Sequence, residues 1–187
     1  MTAIAPSLSL EAFLQQPERK PYQEYIQGQI VPKPMPQGRH SRIQQKLITA
    51  INAVTEPDKI ALALPELRCS FGDRSLIPDI AVFCWPRIPL TENGEIGDRF
   101  NAAPDWVIEI LSPEQSSTRV ASNILYCLAA ESEMGWLIDP KERLVQVFDG
   151  DCRIISIEQE GDRLPTPNFA QSLNLSLGTL WNWLKLA

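Results

Sequence analysis

The sequence predicts a mixed α+β domain, and three observations lead there. Helical periodicity and strand-like runs appear in the order helix, strands, helix, strands. The strands are therefore not separated by helices one at a time, which argues against repeated βαβ units. The 16 prolines keep each run short. The expected architecture is a central mixed β-sheet flanked by helices, with an N-terminal β-hairpin, in one domain over residues 1–187.

Each element has its own local reason. Ser9 ahead of Leu10-Glu11-Ala12-Phe13-Leu14 reads as a capped short helix. Tyr22 to Val31 reads as a hairpin turning at Gln27-Gly28. Pro32, Pro34 and Pro36 then exclude regular structure until Gly38. Ile43, Leu47, Ile48, Ile51 and Val54 recur at helical spacing and predict a helix from His40 to about Thr55. Strands follow at 60–64, 66–71, 80–84 and 106–111, the third and fourth separated by a long loop from Trp85 to Pro104 around Asn93-Gly94. A second helix is expected over about 117–130, with Val120, Ile124, Leu125 and Leu128 on one side. Strands at 135–138 and 144–148 flank the turn Asp139-Pro140-Lys141-Glu142, and 154–157 adds an edge strand. A helix over 176–186 closes the chain, docking through Leu177, Trp181 and Leu184.

Composition narrows the class. Hydrophobic residues make up 44% and charged residues 21%, which suits a globular protein and not a disordered one. No uncharged apolar run approaches the roughly 20 residues that cross a bilayer, so no membrane partner is expected. The N-terminus carries no basic residue ahead of its mild apolar stretch, so no secretory signal is expected either. Cys69, Cys84, Cys127 and Cys152 form no CxxC pair and read as reduced thiols in a cytoplasmic protein. The net charge of −6 is uneven: residues 1–60 carry seven Lys+Arg against five Asp+Glu, so the N-terminal third is basic. A polyanion would bind there, where Arg39, Arg42 and Lys46 cluster, unless those three form an ordinary solvated helix face.

The chemistry concentrates in two strands. In Trp106-Val107-Ile108-Glu109-Ile110-Leu111, both faces around Glu109 are apolar, so this strand is expected to be central and buried on both sides. A lone carboxylate there costs several kcal/mol unless a cation, a metal or a proton compensates it. A structural Arg could serve that need, but a site role is the better reading. Asp79 opens Pro78-Asp79-Ile80-Ala81-Val82-Phe83-Cys84 with the same logic, its alternative being to cap backbone amides. Two acids on adjacent core strands can meet around Mg²⁺ (or Mn²⁺), which takes few carboxylates and keeps its waters. Such an ion activates water and offsets charge at a phosphoryl centre. Glu66 and Glu24 are weaker metal candidates, each also readable as part of a half-exposed strand. His40, the single histidine, stands at a helix start, where it is either incidental or able to donate to phosphate or shuttle protons. The GxxxxGK[ST], GxGxxG, HExxH and GxSxG motifs are all absent.

An ordered set of motifs adds a family resemblance: Tyr22-Gln23-Glu24-Tyr25-Ile26-Gln27-Gly28, Gly38-Arg39-His40-Ser41, Pro78-Asp79, Glu109-Ile110-Leu111-Ser112-Pro113, Tyr126, and Gly135-Trp136-Leu137-Ile138-Asp139-Pro140. Together they resemble the Uma-type restriction endonucleases, a family within the PD-(D/E)xK nuclease superfamily. The likeness covers about residues 20–150, which become the core, leaving a C-terminal strand and helix in 151–187. It implies a restriction-endonuclease-like fold, with Asp79 and Glu109 as the motif acids and metal ligands. It further implies Mg²⁺-dependent hydrolysis of DNA phosphodiesters and, as often in this superfamily, pairing of two copies, for which Trp183 is a candidate contact if it is not core. One departure stands out. The motif lysine would fall at Leu111, or in this family about one turn before Tyr126, where Ser122 and Asn123 stand. Arg119 is then the nearest cation, able to stabilise charge but not to act as a base. Arg39, Arg42, Ser122 and Tyr126 complete the expected substrate-binding set. The rival reading is a nucleic-acid-binding or scaffold module on the same fold, silent because its lysine is gone; a two-carboxylate glycosidase fits less well.

Overall fold

The structure is a computed structural model that describes residues 8–113 and 115–186; the first part of the N-terminal stretch read above, residues 1–7, lies outside them. Helix α1 (Leu10–Leu14) is capped by Ser9, whose side chain accepts from the Ala12 amide. Strands β1 (Gln23–Ile26) and β2 (Gln29–Pro32) form the hairpin, and Gln27 and Gly28 both take positive φ to turn it. Helix α2 (Gly38–Thr55) follows, then β3 (Ala61–Pro65), β4 (Cys69–Phe71), β5 (Arg74–Leu76), β6 (Ile80–Cys84) and β7 (Trp106–Ile110). Helix α3 (Ser117–Ala129) leads to β8 (Met134–Asp139), β9 (Leu144–Asp149), β10 (Ile154–Ile157) and α4 (Leu177–Asn182).

The strands divide into two sheets. The large one runs β10-β9-β8-β7-β6-β3 and is antiparallel except for the β7–β8 pair, which α3 connects in parallel. The small one runs β2-β1-β5-β4, all antiparallel. On one face of the large sheet, α2 and α4 bury Ile43, Leu47, Ile51, Leu177 and Trp181 against Trp106, Ile108, Ile110 and Trp136. On the other, α3 buries Val120, Ile124 and Leu128 against Val107, Leu137 and Phe148, with Leu76 of the small sheet joining them. Every residue of β7 is buried, as the two-sided apolar pattern around Glu109 requires. Gly135 allows the α3 contact: a Cβ there would collide with Ile124 Cγ2 and come within 3.3 Å of Val107 Cγ1.

Three elements differ from expectation. The strand expected over 66–71 shrinks to Cys69–Phe71, because Glu66 adopts positive φ and turns the chain after Pro65. Strand β5, which no run in the sequence signals, pairs with β4 across a turn at Gly72, whose φ is +57°, and with β1 on its other edge. The last helix stops at Asn182, and its cap residue Trp183 packs partly buried on the main core, which favours the core reading of that residue over an intermolecular one. Among the described residues no helix is long and apolar enough to cross a membrane. Cys69 and Cys127 are buried free thiols, Cys84 is half-buried, and Cys152 is exposed in a turn.

Candidate active site

The β6–β7 register places the two motif acids together. Ile80 pairs with Ile108 and Ala81 with Val107, so continuing the ladder by one residue sets Asp79 opposite Glu109. Asp79 Oδ2 accepts the Ile110 amide at 2.7 Å and His40 Nε2 at 2.9 Å. The Gln44 side chain, one turn further along α2, donates to the Asp79 carbonyl at 2.7 Å. Asp79 thus does cap a backbone amide, but with one oxygen only; Oδ1 has no hydrogen-bond partner of suitable geometry. It faces a charge instead.

That charge is Lys33. Its Nζ lies 2.8 Å from Asp79 Oδ1 and 3.3 Å from Glu109 Oε2, and it donates to the Ile77 carbonyl. The lysine is the first residue after β2, anchored by its backbone amide to the Tyr22 carbonyl at 2.7 Å. Glu109 is therefore balanced by neither a structural Arg nor Arg119, and the nearest cation to both acids comes from the N-terminal hairpin. Glu24 adds a third buried acid from β1: Oε1 accepts the Ile77 amide at 2.8 Å, and Oε2 is 3.5 Å from Asn123 Nδ2.

The three carboxylates are all nearly sealed, with Glu24, Asp79 and Glu109 exposed by 7%, 2% and 4%. Burial, the largest influence, pushes Glu109 well above the usual carboxylate range; Lys33 opposes it while Asp79 and Glu24 add to it. Burial also raises Glu24, against the pull of Lys33. Asp79 feels the same burial, but Lys33 and His40 outweigh it and hold its carboxyl below the ordinary range. Burial works against the Lys33 ammonium, yet Asp79, Glu109 and Glu24 together hold it above the ordinary lysine range. Asp79 is thus the anchored anion and Lys33 a fixed cation.

Two openings reach this cluster. A cavity of about 310 Å³ is lined by Glu24, Lys33, Glu109, Arg119 and Asn123, among others. A second, of about 220 Å³, is lined by Lys33, His40, Glu66 and Asp79. Glu66 and Arg119 therefore stand at the rims, and Arg119 is exposed. A third hollow of about 500 Å³ carries Arg39 and Lys141 beside His40.

The remaining candidates lie elsewhere. Arg42 Nε donates to the Trp183 carbonyl at 3.2 Å, so it ties α2 to the C-terminus and is not a free phosphate ligand. Ser122 is exposed and does not line either opening of the acid cluster; its neighbour Asn123 turns inward. Tyr126 bonds Asp73 Oδ1 at 2.7 Å and stacks on Phe71, away from the acids, so its position reflects packing against the Gly72 turn. Lys33 was missed altogether, as was Arg74, buried 4.0 Å above the Tyr126 ring and bonded to Asn123 Oδ1 at 3.2 Å.

The donors suit a hard divalent ion. Among the described residues no three His, Cys, Asp or Glu side chains form a ready cage. Mg²⁺ does not require one, since it binds through one or two carboxylates and retains water. Asp79 Oδ1, buried without a hydrogen bond and sharing a cation with Glu109, is the kind of oxygen such an ion takes.

A sheet of this topology, bearing two acids on adjacent strands with a lysine between them, has the restriction-endonuclease-like core. The fold closely matches a crystal structure described as a putative nuclease belonging to DUF820 from Anabaena variabilis ATCC 29413, at 51% identity and a TM-score of 0.93, over 95% of this chain and 99% of that one. A comparison with curated proteins finds no match. The model of the Uma2 family, "Putative restriction endonuclease", matches residues 10–178, and the chain belongs to that family.

Proposed function

We propose that this chain is a Mg²⁺-dependent endonuclease that hydrolyses DNA phosphodiester bonds, with Mn²⁺ able to replace Mg²⁺. One observation carries the reading: two buried carboxylates from adjacent strands converge on a single cation at the wall of an open cavity. Asp79 and Glu109 would hold the ion, whose chemistry is to lower the pKa of bound water and offset phosphate charge. The protein's own share is positioning. The Ile110 amide and His40 Nε2 hold Asp79 Oδ2, which leaves Oδ1 turned to the ion's seat. His40 serves by orienting that carboxylate, since its Nδ1 is buried without a partner. Lys33, paired with both acids at the cavity wall, brings an ammonium to where its charge acts on the scissile phosphate. Arg119, on the same cavity wall, offers a second positive charge to the backbone. In the reaction, the attacking water oxygen bonds to phosphorus, one P–O ester bond breaks, and a phosphomonoester and a hydroxyl are left.

The rival reading of a silent binding or scaffold module drew its support from a missing lysine, and Lys33 removes most of that support. Two copies acting together would cut both strands, and the reduced thiols suit a cytoplasmic setting; both belong to the same proposal. The test is cleavage of supercoiled plasmid with Mg²⁺ or Mn²⁺, with chelator and Asp79→Ala as controls. Cleavage that needs the metal and falls roughly a thousandfold in Asp79→Ala, about 4 kcal/mol of barrier, is the expected result. DNA retention without cutting, weakened steeply by salt, would instead favour the binding module.

A further inference from the structure

We propose that Lys33 and the divalent ion share one seat, so that the lysine closes the site as a tethered counter-ion until an ion displaces it. The inference rests on the nuclease reading and adds a rule for how that site is loaded. The ammonium is held by three oxygens from two segments: the Ile77 carbonyl and Asp79 Oδ1 (at 2.8 Å) ahead of β6, and Glu109 Oε2 at 3.3 Å on β7. An ammonium has three protons to donate, and three oxygens stand around this one. The same oxygen-only set is what a hard cation seeks. Two cations cannot both lie between this pair of carboxylates without strong repulsion in a buried setting.

The lysine has somewhere to go. Lys33 and Pro34 line both the 310 Å³ and the 220 Å³ openings, so this short strap is the wall between them. Its backbone is fixed to Tyr22 through the Lys33 amide, leaving the flexible four-carbon stem as the moving part. Displaced into the larger opening, the ammonium would join Arg119 where a phosphate enters. The exchange thus converts an internal counter-ion into a substrate contact.

Calorimetry with Ca²⁺, a hard cation that also takes oxygen ligands, reads the exchange in the full chain. Lys33→Met should bind Ca²⁺ about tenfold or more tightly than wild type, as expected when a state occupied about nine-tenths of the time no longer blocks the seat. Equal or weaker affinity in the variant overturns the proposal while leaving the nuclease reading intact. Absence of Ca²⁺ binding in both proteins overturns the proposal together with that reading. A second measurement needs no variant: acetylation of Lys33 in the wild-type chain, followed by peptide mass, should accelerate about tenfold at saturating Ca²⁺ by the same occupancy. A rate unchanged or slowed by Ca²⁺ overturns the proposal.

Discussion

The six-stranded and four-stranded sheets are built from similarly short strands, yet they use their side chains differently. The large sheet is apolar through its centre, with Trp106 and Trp136 packed edge to face at 4.7 Å and β7 buried at every position. The small sheet is polar inside: Ser70 and Ser75 share a hydrogen bond of 2.9 Å, Arg68 donates to Ser75, and Arg74 lies buried over Tyr126. The candidate site forms where the two meet. The large sheet contributes Asp79 and Glu109 on a backbone that cannot easily shift, while the hairpin of the small sheet contributes Glu24 and the following Lys33. A rigid apolar frame can hold buried acids in register; a polar layer beside it can supply the charges those acids require.

The contrast can be broken at Gly135. Gly135→Ala presses Ile124 of α3 away from β8 and should cost about 1–3 kcal/mol in a denaturant melt, with cleavage per folded molecule falling only modestly, since Asp79, Glu109 and Lys33 all lie off α3 although Arg119 lies on it. A large loss of activity in molecules that remain folded would show that frame and site are not separable.

Titration sharpens it next. Burial holds the Glu109 pKa above 4.5 in the folded state, so above 4.5 the native chain binds more protons than the unfolded one until Glu109 itself ionises. Without metal, stability should therefore fall as pH rises through that window, by up to about 1.4 kcal/mol per pH unit. Glu24 acts in the same direction. Asp79 acts oppositely: its contribution is present above 3.8 and is lost as pH falls towards its lowered value. Melts in chelator at rising pH above 4.5 should show the decline, and Glu109→Gln should flatten it. Stability that rises over this range in wild type would refute the assignment.

The smallest effect expected is at Arg42. Its bond to the Trp183 carbonyl predicts that Arg42→Ala loses about 0.5–1.5 kcal/mol of stability and leaves DNA affinity nearly unchanged. A loss of DNA affinity as large as that of Arg119→Ala would return Arg42 to the substrate surface.

The same division governs what could be read from the chain. Strand β7, the acid pair and both long helices were legible because apolar periodicity dictates them and Asp79 and Glu109 interrupt it. Lys33 was not, since a lysine between Pro32 and Pro34 looks like any solvated loop residue and nothing local signals a partner 46 or 76 positions away. Asn123 left a usable clue: it shares the helical stripe of Val120 and Cys127, so a polar residue there had to find a buried partner. Strand β5 hid because Arg74 and Ser75 are polar yet buried, the reverse of what a solvent-facing strand shows.

Diffraction from crystals soaked in Mn²⁺, recorded at the manganese edge, tests the central claim most directly. One anomalous peak within bonding distance of both Asp79 and Glu109, absent in Asp79→Ala, is the predicted result. A peak lying elsewhere, or none at that pair under saturating Mn²⁺, would contradict the account.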